Sequence, residues 1–140
     1  SCDCQSGEIR RYRRKISGPI ADRIAIHLEL GHEMKDNMEN GAKMFSWTEA
    51  KMVVARVREW VNNHPDEKKF ALGPQLTEEA LELLNSCKSV LRLSHRGLYH
   101  VHNVALTAAL IDNSPVIDVD HVAEAGASRL FDRQSWMTPQ

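Results

Sequence analysis

No apolar run in the chain approaches the ~20 residues that a membrane-spanning helix needs, and no charged-then-apolar leader of the secretory kind opens it. The expectation is a protein with no membrane partner. Cysteine is scarce: there are three, an odd number, two of them spaced Cys2-Asp3-Cys4. Such a set does not make a disulfide framework, and a reducing cytoplasm is the expected compartment. An excess of charge of one sign is missing too. Eighteen Lys and Arg against nineteen Asp and Glu leave a formal net charge of −1. Any nucleic-acid contact must therefore come from a local patch, not from bulk charge. What is present is ordinary globular material: 140 residues, 42% hydrophobic and 26% charged. That is enough for one domain with a real core.

Helical periodicity dominates from residue 46 onward. Ser46 with Glu49 three residues later forms a capping box. Behind it Val53, Val57, Trp60 and Val61 build one apolar stripe, which Asn62, Asn63, His64 and Pro65 bring to an end. Residues 65–75, with two prolines and a glycine, read as a loop. Thr77 can cap a helix carrying Ala80, Leu83, Leu84, Cys87 and Leu91 on one side, which makes Cys87 a core residue. Ser94 can cap the next, with Leu98, Val101, Ala105 and Ala108 at helical spacing, stopped by Asn113, Ser114 and Pro115. Asp118 opens a last helix with Val119, Val122 and Leu130 inward. Gly126 lies in its middle, a choice that costs about 1 kcal/mol relative to alanine.

The first 45 residues are built differently. Residues 7–16 place Ile9, Tyr12 and Ile16 on one face of a short basic helix, which Ser17, Gly18 and Pro19 break. Ile24, Ile26, Leu28 and Leu30 then alternate, the period of a half-buried strand. Residues 31–45 show no period and read as a loop. A lone strand cannot satisfy its own backbone groups. Two readings follow: residues 1–30 end a sheet-containing domain that lies upstream, or the chain is a helical domain with a small edge ribbon. The fold class is mainly α in either case.

Three stretches in order carry a family resemblance. They are "CDC…IRRYRRKISGPIADRIAIHLEL", "LSHRGLYHVHNVALTAALID" and "IDVDHVAEAGASRLFDR". Together they resemble the C-terminal part of the magnesium-chelatase-like AAA+ ATPases, and most closely the ComM type associated with natural competence. The resemblance implies that residues 1–45 are the end of an AAA+ core: basic helix, arginine-finger segment, last strand and linker. Residues 46–140 would be its helical lid. It also implies a hexameric ring of identical subunits using ATP and Mg²⁺, translocating on DNA during recombination. The family's phosphate loop lies upstream, and no G-x-x-x-x-G-K-[ST] occurs here. The chain alone should hold no cofactor and hydrolyse no ATP.

Residue by residue, Arg23 matches the arginine of the family's D-R-I-D segment and would be an arginine finger acting on a neighbouring subunit's ATP, where a rigid guanidinium meets charge building on phosphoryl oxygens. Ala21 and Ala25 stand where the family has leucine and aspartate. Read without the family, Arg23 is a surface arginine paired with Asp22. Arg96 falls in the first turn of the helix capped by Ser94, where the dipole disfavours a cation and an anion would be welcome; the family has its sensor-2 arginine there. Cys2 and Cys4 match half of a four-cysteine cluster that could bind zinc. The basic run Arg10, Arg11, Arg13, Arg14 and Lys15 is either a solvated face or a contact for DNA or a neighbouring subunit. Tyr99, His100 and His102 lack metal-ligand spacing. Two rivals stand beside the DNA motor: the lid of a chelatase ATPase that remodels a protein partner, and a stand-alone helical interaction or DNA-binding module.

Overall fold

A computed structural model describes residues 5–13, 15–28, 46–64 and 73–129. The loops expected over 31–45 and most of 65–75 lie outside them, as do Leu30 and Leu130. In chain order the elements are α1 (Ser6–Arg13), α2 (Gly18–Ala21), α3 (Trp47–Asn63), β1 (Gln75–Leu76), α4 (Glu78–Val90), α5 (His95–Asp112), β2 (Val116–Ile117) and α6 (Val119–Ala127). The chain is mainly helical.

Local chemistry sets the helix boundaries. Ser46 accepts from the Glu49 amide at 3.1 Å while the Glu49 carboxylate accepts from the Ser46 amide at 2.8 Å, closing the capping box. The Ser46 amide above all, and the Ser46 hydroxyl after it, hold the Glu49 carboxyl below its ordinary pKa by hydrogen-bonding its charged form. Thr77, Ser94 and Asp118 cap α4, α5 and α6 through their side-chain oxygens. Asn113 ends α5 in the left-handed conformation, which asparagine tolerates. Arg92 takes the same conformation after α4 (φ 52°), and the Leu93 amide reaches back to the Lys88 carbonyl as in a Schellman motif. At the chain's start, α1 stops at Arg13, short of the 7–16 span expected, and Pro19 opens the one-turn α2 where a break was expected. A proline in the first turn of a helix loses no hydrogen bond.

The core lies between α4, α5 and α6. Ala80, Leu84, Val101, Ala105, Leu106, Ala109, Val122 and Ala125 fill it, joined by Leu93 and Ile117. Five of these side chains are alanine or valine on α5 and α6, so the helix axes come close. At Gly126, on α6, a β-carbon would stand 3.2 Å from the Cys87 Sγ of α4. That explains a glycine in mid-helix. Cys87 itself sits at the rim of the core, half-buried, and Val119 is exposed, not inward.

Two features were not expected from periodicity. The strands β1 and β2 pair in parallel, Gln75 with Val116 and Leu76 with Ile117. Each leads directly into a helix cap, so this clasp starts α4 and α6 side by side and running the same way. The helix α5 returns antiparallel, its Asp112 lying 3.4 Å from His121 near the start of α6. Second, α3 buries no residue fully. Its half-buried stripe of Ala50, Val53, Val57 and Trp60 rests on α5. Arg56 fixes it there by donating to the Leu110 and Ile111 carbonyls at the end of α5.

The strand expected at residues 24–30 takes a reduced form. His27 makes a single parallel bridge to Arg129. Alternation holds, but with the opposite face inward. His27 is buried, while Ile24, Ile26 and Leu28 are 41%, 50% and 73% exposed.

Candidate functional site

At the end of the bundle away from the clasp, α5 begins, α4 and α6 finish, and the chain from Pro19 to Leu28 crosses over them. Ser94 is the pivot. Its Oγ accepts from the Gly97 amide at 3.0 Å, capping α5, and its hydroxyl donates to Asp22 Oδ1 at 2.5 Å. This bond joins segments 72 positions apart, one residue from Arg23 and two from Arg96. Asp22 therefore serves Ser94 and not Arg23. The surface pairing of Arg23 with Asp22 is replaced: Arg23 Nη1 donates instead to the Pro19 carbonyl at 2.8 Å. That bond folds the side chain back over α2.

Arg23 and Arg96 are both exposed. Among the described residues Arg96 makes no hydrogen bond or ion pair, so its guanidinium is available to an outside anion. It sits in the first turn of α5, where the unsatisfied amide ends favour a negative ligand. Two exposed guanidiniums thus stand at one end of the bundle, Arg96 without a partner among the described residues and Arg23 held by the Pro19 carbonyl, on segments joined by a short hydrogen bond. That arrangement can grip or neutralise a polyanionic oxygen cluster.

Behind the two arginines lies a buried layer that periodicity alone did not reveal. The His27 amide donates to the Ser128 carbonyl at 2.6 Å, and His27 Nε2 donates to the Ala21 carbonyl at 3.1 Å. Arg129 is wholly buried, and its Nη1 bonds the Ile24 carbonyl and, at 3.4 Å, the Ala25 carbonyl. Gly97 opens room for it: a β-carbon there would meet Arg129 Nη2 at 3.7 Å and Leu93 at 3.4 Å. A signal for this did exist. Val122, Ala125 and Arg129 follow helical spacing, which aligns the arginine with the inward stripe of α6.

The other predicted residues fare differently. Cys2, Cys4 and Arg14 lie outside the described residues, as do the side chains of Arg10 and Arg13 in α1. Arg11 and Lys15 are exposed, and Lys15 Nζ stands 5.5 Å from the Tyr12 ring centre. Among the described residues no group of three or more His, Cys, Asp or Glu side chains is placed to hold a metal ion, and no helix is long and apolar enough to cross a membrane. Burial lowers the His102 pKa and raises that of the Cys87 thiol. Cys87 lines a recess of about 560 Å³ with Leu83, Val90, Leu91 and Gly126, and neither arginine is among its lining residues.

The family model described as magnesium chelatase, subunit ChlI C-terminal, matches residues 32–129, well over half the chain. The model described as magnesium chelatase, subunit ChlI, matches residues 1–38. Neither a curated protein nor a solved structure matches.

Proposed function

Because the chain belongs to the magnesium chelatase ChlI-subunit family, ending in that family's C-terminal domain, we propose that it forms the lid and the last core segment of a ring-forming AAA+ ATPase. The observation that carries this reading is the Asp22–Ser94 hydrogen bond. It sets Arg23 and Arg96 on adjoining segments, and both side chains are exposed. Bound MgATP would supply the phosphoryl group whose charge the ring exploits. The residues present fit the edge of a triphosphate and not its cradle, since the phosphate loop is not among these 140 residues. In this reading Arg96 senses the nucleotide of its own subunit from the start of α5. Arg23 reaches the nucleotide of the next subunit as a finger. The outward apolar residues Ile24, Ile26 and Leu28 suit the edge of a core sheet, which would cover them.

The order of the motifs and the Cys-x-Cys spacing favour the ComM type, with hydrolysis in a cytoplasmic hexamer driving translocation on DNA, the basic helix α1 contributing to a DNA or subunit contact, and Cys2 and Cys4 giving half of a zinc site. A second reading is favoured by the description of the matched family: the motor remodels a chelatase protein partner. DNA that stimulates ATP turnover by the parent, the whole ATPase of which these residues would form the end, supports the first, and turnover indifferent to DNA supports the second. A stand-alone DNA-binding module predicts tight, salt-sensitive DNA binding by these 140 residues by themselves.

The arginine roles are tested in the parent protein. Arg23→Ala should leave ATP binding intact and lower hydrolysis about 10³-fold or more. Mixed with subunits lacking the phosphate-loop lysine, it should regain activity wherever an intact lysine meets a neighbour's intact Arg23. Mixed rings that stay inactive despite proven subunit exchange refute a role across the subunit boundary.

A further inference from the structure

Arg129 is the only wholly buried charged side chain among the described residues, and the sequence motifs assign it nothing. Sequestering a guanidinium from water is expensive unless its hydrogens find acceptors. Those it finds include the Ile24 and Ala25 carbonyls, the first and second residues after Arg23. We infer that Arg129 is a positioning residue: it clamps the Arg23 segment onto the helical bundle, so that Arg23 and Arg96 travel as one rigid body.

Three attachments converge on this. Arg129 holds the backbone just after Arg23, and Asp22 just before it is held by Ser94. The His27 amide closes on Ser128, the residue next to Arg129. Both ends of the segment are thus fastened to the same body, at the start of α5 and the end of α6. An unclamped loop would let Arg23 follow whatever core it adjoins. A clamped one makes any swing of α5 move Arg23 with it. The nucleotide contact in one subunit and the finger offered to its neighbour then become a single motion. This second step rests on the finger reading, whereas the clamp itself does not.

The test has two measurements. In the 140-residue chain, amide hydrogen exchange is followed in Arg129→Met and Arg129→Lys. In Arg129→Met, exchange at Ile24–Leu28, the His27 amide above all, should speed up about tenfold or more, because a hydrogen-bonded charge has been removed. Amides in the middle of α5 should hold their rate. Arg129→Lys should recover part of the protection, since an ammonium can reach one carbonyl but lacks the planar fork for two. In the parent, Arg129→Met should lower kcat for ATP about 10²-fold with KM unmoved, the loss expected when a reacting group is misplaced by about an ångström.

Unchanged exchange at 24–28, or faster exchange spread evenly over the bundle, overturns the clamp. Local loosening with normal kcat overturns the positioning role if Arg23→Ala is itself inactive. If Arg23→Ala is also fully active, the clamp stands and the finger reading falls. Should Arg129→Met fail to fold, Asp22→Ala, at a half-exposed position, loosens the other end of the segment. Unaltered exchange there overturns the clamp equally.

Discussion

Replacing Gly126 by alanine sets two effects of known size against each other. In a helix interior the change gains about 1 kcal/mol, because glycine forfeits more backbone entropy on folding. Against this, the new β-carbon would lie 3.2 Å from Cys87 Sγ, tighter than an ordinary van der Waals contact. The sulfur has to withdraw by a few tenths of an ångström. It has somewhere to go, since Cys87 borders the 560 Å³ recess with Leu83, Val90 and Leu91. A modest side-chain displacement costs about 0.5–1.5 kcal/mol at its worst, so Gly126→Ala should be stabilising by about 0.5 kcal/mol or close to neutral. With Cys87→Ala already in place the obstruction is gone, and the same substitution should yield its full gain of about 1 kcal/mol. Urea unfolding of the four proteins of this cycle, at constant m-value, measures the coupling directly. A loss above about 1.5 kcal/mol for Gly126→Ala would mean that α4 and α6 cannot give at all. A gain no larger in the Cys87→Ala background would show that the sulfur is not the obstacle. Either result refutes the reasoning.

Other expectations are simpler to check. His102 is held neutral in the fold by burial, so its folded pKa lies below that of the unfolded chain. Between those two values the unfolded state binds more protons, and stability should fall as pH drops below about 6.5. His102→Gln should flatten that part of a plot of unfolding free energy against pH. Arg92→Gly relieves a left-handed non-glycine residue at an exposed turn and should stabilise by about 0.5–1 kcal/mol, the strain removed less the entropy that glycine adds to the unfolded chain. Thermal unfolding that shows a loss would contradict this. With Cys2 and Cys4 changed to serine, the remaining Cys87 thiol, its pKa raised by burial, should alkylate more slowly at pH 8 in the native chain than in urea.

What could be read from the sequence divides by range. Ser46, Thr77, Ser94 and Asp118 were legible as caps because a cap bonds amides within three residues of itself. Arg23 and Arg96 were legible as candidates, but not their proximity. Asp22 has a local suitor in Arg23, and nothing short-range announces that Ser94, on another helix, is its partner. Alternation along Ile24–Leu28 was legible, but not which face turns inward, because a period of two is blind to a shift of one residue. Apolar residues face outward there, since what packs on this side of the bundle is His27, held by Ala21 and Ser128. The clasp escaped for a plainer reason: strands of two residues have no period. Arg129 escaped because arginine is so rarely buried that its place in line with the inward stripe of α6, two residues past the helix, carried no weight against its type.

The clasp has an electrical consequence. By starting α4 and α6 together it collects two helix N-termini at one end of the bundle, and Glu78, Glu79, Asp118 and Asp120 lie in or beside their first turns. The opposite end collects two C-termini, and there Arg23, Arg92, Arg96 and Arg129 gather; Arg92 and Arg129 follow the carboxyl ends of α4 and α6, which favour a cation, whereas Arg96 stands on the amino end of α5, which does not. Among the described residues these eight side chains set carboxylates toward one end of the bundle and arginines toward the other. Such a body feels little net pull from a distant polyanion but a definite torque in its field, which turns the arginine pole forward before contact. Salt should weaken that orientation at separations beyond a Debye length, about 8 Å at physiological ionic strength.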